Sequence, residues 1–218
     1  RAYRAGITVV AAAGNLGKTA DGRAIFGGIT TPGNSPFAIT VGALNTKGTP
    51  YRSDDTVATY SSKGPTLYDH LVKPDLVAPG NKILGPAAPG STLAREHPEL
   101  VVSVAGGPRL QLSGTSMAAA VVSGAAGVLL EGKVGGTESI RRVLQHSSNQ
   151  LSSSRLISGA GSLNLDLAAA YVFAPSAIAM VTAQSNLTPS RTAFCTTATC
   201  TIAVNSNEGI VWSEDGIV

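Results

Sequence analysis

Charge is scarce in this chain of 218 residues, with Lys, Arg, Asp and Glu together at 13% and a net charge of only +3. No dense Lys/Arg run interleaves with the few aromatics, so the basic, stacking surface that nucleic acid requires is lacking. Cysteine is nearly absent. Cys195 and Cys200 stand as Cys-x4-Cys, too few ligands for a tetrahedral zinc site, and no metal is assigned. Long apolar runs are missing too. Residues 117–130 fall short of the roughly 20 that cross a bilayer, and residues 167–183 are interrupted by Pro175 and Ser176, so no membrane span is read. Arg1-Ala2-Tyr3-Arg4 leads straight into an apolar, strand-like stretch, without the charged start, apolar core and cleavage site of an export signal.

What is present suits one globular unit. Hydrophobic residues make up 43%, and Gly 25 and Pro 12 indicate a turn-rich chain with small residues at its packing contacts. Residues 7–13 and 38–43 are continuous apolar, partly β-branched runs, the pattern of parallel strands buried on both faces. Residues 56–60 and 76–77 read as shorter strands, punctuated by Lys63-Gly64-Pro65 and Ala78-Pro79-Gly80. Residues 117–130 are apolar on every side, which predicts an interior helix. Ile140, Val143 and Leu144, with Thr137 as N-cap, predict a surface helix over 137–146. Residues 85–108 read as a loop insertion carrying a short strand at 100–104. The fold expected is α/β, a doubly wound, mostly parallel sheet with its chemistry at the carboxyl ends of the strands.

Chemistry concentrates in Ser113-Gly114-Thr115-Ser116-Met117-Ala118. Gly114 permits a tight turn, and Ser116 then falls at or beside a helix N-terminus, whose free N–H groups and partial positive charge favour an oxyanion on an attacked acyl group. Taken alone, Ser116 reads far more readily as an N-cap serine before a core helix than as a nucleophile. Asn15, reached from the strand at 7–13 through Gly14, reads alone as a turn residue.

The wider pattern resembles the subtilisin-like serine peptidases. In order come Gly6-Ile7-Thr8-Val9-Val10-Ala11-Ala12-Ala13-Gly14-Asn15, then Thr31-Pro32-Gly33-Asn34-Ser35-Pro36 running into Ile39-Thr40-Val41-Gly42-Ala43. Tyr60-Ser61-Ser62-Lys63-Gly64-Pro65 follows, then Lys73-Pro74-Asp75-Leu76-Val77-Ala78-Pro79-Gly80, and then the Ser116 block. Gly159-Ala160-Gly161-Ser162-Leu163-Asn164 looks like the family's closing segment, so the resemblance covers residues 6–170. It implies Ser116 as nucleophile, with the Asn15 side-chain amide and the Ser116 backbone N–H as oxyanion donors and Gly114 and Thr115 as the supporting turn. It also implies Ala12, Ala13 and Gly14 as walls of the pocket for the residue before the scissile bond. The floor of that pocket falls in glycine-rich 17–28, where a large apolar side chain is expected to be tolerated. The blocks are most similar to secreted bacterial members, so the resemblance implies export, protein or peptide substrates and a Cys195–Cys200 disulfide. No cofactor is identified; a structural calcium is implied by the resemblance alone.

The departures are as informative. The family's triad aspartate lies in Asp-Thr/Ser-Gly and its histidine in His-Gly-Thr-His, both ahead of the serine, and neither block occurs here. His70, His97 and His146 sit in polar, loop-like contexts and read as surface residues. His97 beside Glu96 is rejected as a dyad, since adjacent residues seldom face one another. The chain is therefore expected to be the C-terminal part of a catalytic domain, inactive until joined by the N-terminal part that carries the base. A family proline near the start of the helix is replaced by Ala120, a mild change if that position lies in the first turn. Residues 1–170 are assigned to the catalytic unit. Residues 171–218 form an Ala/Thr/Ser-rich, β-rich extension in which Glu208-Gly209-Ile210-Val211-Trp212 and Asp215-Gly216-Ile217-Val218 suggest a repeat. The rival function is a non-catalytic binding or scaffold domain of the same fold. An esterase of Gly-x-Ser-x-Gly type is excluded, because Ser116 lies in Gly-Thr-Ser-Met-Ala.

Overall fold

The sheet is organised around Ile39–Asn45 (β2), an Ile-Thr-Val-Gly-Ala-Leu-Asn run buried at every position but its last. The computed structural model describes residues 1–174, together with the strand residues 212–213 and 216–217. Val10–Ala12 (β1) and Leu76–Pro79 (β4) flank β2 in parallel, with Val10 opposite Ile39 and Val41 opposite Leu76. Thr56–Val57 (β3) joins antiparallel at the far end of β2, Leu44 opposite Val57. The strand expected over 7–13 is thus only three residues long. Its partner begins at Ile39, so residues 7–9 have little ladder to enter, beyond the Val9 carbonyl accepting from Ile39 N–H at 2.8 Å.

The stretch expected to be a loop insertion is a second, antiparallel sheet. Ile83–Pro86 (β5), Val101–Val104 (β6) and Gly107–Leu112 (β7) assemble in the order β5-β7-β6, with the short helix Thr92–Glu96 (α1) between β5 and β6. Gly107-Pro108 at the head of β7 hides the strand from a reading that takes both residues as breakers. The turn before it uses Gly106 and Gly107 at positive φ.

Thr115–Glu131 (α2) lays Ala118, Val122, Ala125, Ala126 and Leu129 against β1, β2 and β4. Although apolar all round, it is not interior on all sides. Ser116, Ala120, Ser123, Gly124, Gly127 and Leu130 face outward, and among the described residues no element covers that face. Ala120 is the sixth residue of α2, past the first turn, so the mildness of its replacement for proline does not rest on first-turn placement.

Gly136–Ser147 (α3) also departs from expectation. Its N-cap is Gly135, while Thr137 lies buried inside the first turn and donates to the Ile7 carbonyl at 3.3 Å. α3 keeps the exposed face of a surface helix at Ser139 and Arg142, but its buried side is wider than the apolar spacing suggests, for Arg141 and Gln145 are as buried as Ile140 and Leu144. Arg155–Ser158 (α4) and Leu165–Phe173 (α5) complete this part, α5 packing on α3 and α2. Further along, Trp212–Ser213 (β8) pairs antiparallel with Gly216–Ile217 (β9), one strand from each copy of the suggested repeat. Cys195 and Cys200 lie outside the described residues.

A buried charge cluster ties α3 to the amino ends of β2 and β4, away from the strand ends that carry Asn15. Asp75, fully buried, accepts from Lys73 Nζ at 2.6 Å, Thr40 N–H at 2.6 Å and Gln145 Nε2 at 3.4 Å, with Arg141 Nε 3.8 Å away. Arg141 further donates to the carbonyls of Pro36 and Ala38 and to Glu138. Burial pushes the Lys73 ammonium below the ordinary lysine range, opposed by the Asp75 charge. Removing the carboxylate leaves the Lys73 ammonium buried without its ion-pair partner, a situation that typically costs about 3–5 kcal/mol. Asp75→Ala is therefore expected to lower the unfolding free energy, read from urea titration at neutral pH, by that order. A variant within ~0.5 kcal/mol of the parent, the scatter of ordinary surface changes, would show that the cluster does not hold the sheet.

Candidate active site

Two turns meet at the carboxyl end of the sheet. The first leaves β1 through Ala13, Gly14 and Asn15. Gly14 has φ +104, and a side chain there would lie 2.6 Å from Thr30 Oγ1, so shape and backbone both demand glycine. The second leaves β4 through Gly80, whose carbonyl accepts from Gly114 N–H at 2.8 Å. A Cβ on Gly80 would stand 2.8 Å from Ala43 Cβ and 2.9 Å from the Gly114 carbonyl, so its absence lets the turn before α2 seat against the sheet.

Thr115, the first residue of α2 and almost fully buried, joins the two turns. Its N–H and its hydroxyl both donate to Asn15 Oδ1, at 3.0 and 3.1 Å, and the same hydroxyl accepts from Gly14 N–H at 3.1 Å. With two donors on Oδ1, the orientation of the Asn15 amide is set and Nδ2 is left free to donate elsewhere. Ser116, the next residue, is exposed, as is Asn15. Among the described residues no hydrogen bond engages the Ser116 hydroxyl, and its N–H is one of the unpaired donors of the first turn of α2.

Gly114 supplies the decisive measurement. A Cβ built on it would lie 3.4 Å from Asn15 Nδ2 and 3.8 Å from Ser116 N. Two nitrogens from residues 15 and 116 thus flank the space that a side chain at 114 would fill. Glycine keeps that space open beside the serine, and an anion placed there would meet both N–H groups as well as the positive end of α2.

The three pocket-wall candidates differ. Ala12 and Gly14 retain accessible surface, whereas Ala13 is fully buried with N–H and carbonyl engaged by Val41 and Thr30, so it offers no face to a ligand. Leu16, just beyond Asn15, is 55% exposed. The three histidines do not converge on Ser116. His70 and His97 are exposed, His97 pairing with Glu99 at 3.0 Å rather than with Glu96, and His146 packs its ring on Tyr171. Among the described residues no group of three His, Cys, Asp or Glu side chains gathers, so no set is assigned to calcium. Sequence reasoning treated Thr115 only as part of a turn. Its clamp on Asn15 spans a hundred residues and carries no local signal.

The subtilase family model matches residues 1–164. Serine protease AprX of Bacillus subtilis (strain 168) is 40% identical over 130 residues, covering 60% of this chain and 27% of that protein. Subtilisin-like protease SBT3.4 of Arabidopsis thaliana is 43% identical over 74 residues, covering 34% of this chain and 8% of that protein. Among solved structures, the self-cleaved protease domain of PatA aligns with a TM-score of 0.53 at 28% identity, over 78% of this chain and 52% of that one. The prenylagaramide maturation protease PagA aligns with a TM-score of 0.55 at 21% identity over the same shares, a likeness of fold. The chain thus spans 27% or less of these two curated relatives and 52% of either solved chain.

Proposed function

This chain belongs to the subtilase family, and from that membership we propose that it is the nucleophile-bearing part of a serine endopeptidase. Ser116 Oγ attacks the scissile carbonyl carbon while its proton passes to a histidine outside this chain, itself oriented by a carboxylate. The oxyanion enters the space over Gly114 and accepts from Asn15 Nδ2 and Ser116 N–H. Collapse breaks the C–N bond, the histidine returns the proton to the leaving amine, and water hydrolyses the Ser116 ester. Ala12 and Gly14 line the pocket for the residue before the bond. Residues 1–170 belong to this unit, residues 171–218 form an extension, and the complete protein is exported, as the resemblance to secreted bacterial members implies.

The observation that carries this reading is the pair of nitrogens flanking the Gly114 space beside an unengaged serine hydroxyl. A second reading, a scaffold domain without catalysis, is favoured by one fact: neither the Asp-Thr/Ser-Gly nor the His-Gly-Thr-His block occurs in these residues. Fluorophosphonate modification separates the two. A protease modifies at Ser116 once the base-bearing segment is present, and a scaffold stays unmodified in every combination.

A further inference from the structure

Four consecutive side chains, Tyr60-Ser61-Ser62-Lys63, each grip the backbone of a different piece of the site. Tyr60 donates its hydroxyl to the Gly80 carbonyl at 3.0 Å, the same oxygen that accepts from Gly114 N–H. Ser61 Oγ accepts from Ala43 N–H of β2 at 3.0 Å. Ser62 Oγ accepts from Leu16 N–H at 3.0 Å, immediately after Asn15. Lys63 Nζ donates to the Gly17 carbonyl at 2.5 Å. The backbone adds Ser62 N–H to the Gly14 carbonyl at 2.9 Å and Gly17 N–H to the Tyr60 carbonyl at 2.8 Å. The fit is close: a Cβ on Gly17 would stand 2.1 Å from the Ser61 carbonyl. Ser61 and Ser62 are fully buried and Lys63 nearly so, so their contacts are shielded from solvent, while Tyr60 is half-buried.

Resting on the oxyanion reading above, we propose that Tyr60 and Ser62 are positioning residues that together set the gap between the Asn15 amide and Ser116. Ser62 holds the turn that carries one donor, and Tyr60 holds the turn that carries the other. Ser61 anchors the tetrapeptide to the central strand, so the gap is referred to a rigid part of the sheet. Thr115 already fixes which way the Asn15 amide points; the tetrapeptide fixes where the amide stands. Burial raises the Tyr60 pKa, so its hydroxyl remains a donor across the neutral range. Donors serving a transition state must be held within about 0.5 Å, and a 1 Å misplacement costs about a hundredfold in rate.

The test is kinetic, in the complete protease, meaning this chain together with the segment that supplies the base. Tyr60→Phe keeps ring and backbone and removes only the hydroxyl; Ser62→Ala removes the other grip, and Ser62→Thr retains it. Each loss variant is expected to lower kcat about ten- to a hundredfold, the range set by sub-ångström displacement, with KM within threefold, and Ser62→Thr to restore most of the loss. In an Asn15→Ala background, where the donor being positioned is gone, Ser62→Ala should cost no further kcat. A Ser62→Ala loss that repeats in full in that background, or losses in either variant that fall on KM, would overturn the proposal. So would unchanged kcat in both Tyr60→Phe and Ser62→Ala; if Ser62→Ala does not fold, Tyr60→Phe and the recovery in Ser62→Thr decide. Failure of the oxyanion reading itself is recognised separately, because Asn15→Ala alone would then leave kcat unchanged.

Discussion

Ser116→Ala in the complete protease is expected to reduce kcat by about 10⁶, a magnitude carried over from subtilisin itself. The reason is the covalent route: without Oγ no acyl ester forms, and only the binding and electrostatic parts of the site remain. The substitution should leave the fold intact. Ser116 is exposed in the first turn of α2, its hydroxyl makes no hydrogen bond among the described residues, and alanine is a good helix former. A progress-curve assay on an unfolded protein substrate, paired with the thermal midpoint, reads both effects. Residual activity above ~1% of the parent with unchanged stability would transfer the nucleophile's role to another residue, since triad losses in subtilisin are far larger.

Asn15→Ala should be the next most damaging change, lowering kcat about 10²- to 10³-fold, again a subtilisin value rather than one obtained from this geometry. KM should scarcely move, because the donor serves charge that develops only near the transition state. In that proposed role, Thr115 would hold the amide ready before substrate arrives. Its two donors occupy Oδ1, so no reorientation is needed when the oxyanion forms. A loss confined to KM would instead place Asn15 among groups that bind substrate and transition state equally.

The meeting of the two blocks at the candidate site was legible where each block is contiguous. The Ser116 and Asn15 blocks lie in uninterrupted runs whose glycines, small residues and helix start have local meaning, and the structure brings the two blocks together. The clamp that Thr115 places on Asn15 could not be read, because its residues are a hundred apart and nothing in Gly-Thr-Ser marks the threonine as buried. The grips of Tyr60 and Ser62, on partners 20 and 46 residues away, also carry no local signal, although their block was noticed as a pattern. In the fold, apolar runs predicted β2 well and the presence of α2, but not the exposed face of α2, because Ala120, Gly124, Gly127 and Leu130 are as apolar as the buried residues beside them. They failed for α3, where Arg141 and Gln145 look like solvent-facing positions yet are buried around Asp75, a requirement visible only once residues 36–38 and 75 are in place. They failed also for β5 and β7, where glycine and proline at the strand ends outweighed the pairing that holds them.

Under the proposed function, Ser116 is a nucleophile whose general base is a histidine outside residues 1–218. Intact-protein mass spectrometry tests it, with residues 1–218 incubated with a fluorophosphonate, first alone and then with the segment carrying the Asp-Thr/Ser-Gly and His-Gly-Thr-His blocks. An unassisted serine hydroxyl keeps its proton at neutral pH. The chain alone is therefore expected to stay unmodified, and the combination to gain one adduct per chain, mapped to Ser116 and lost in Ser116→Ala. Rapid stoichiometric modification of the chain alone would contradict the claim and return His70, His97 and His146 to consideration as the base.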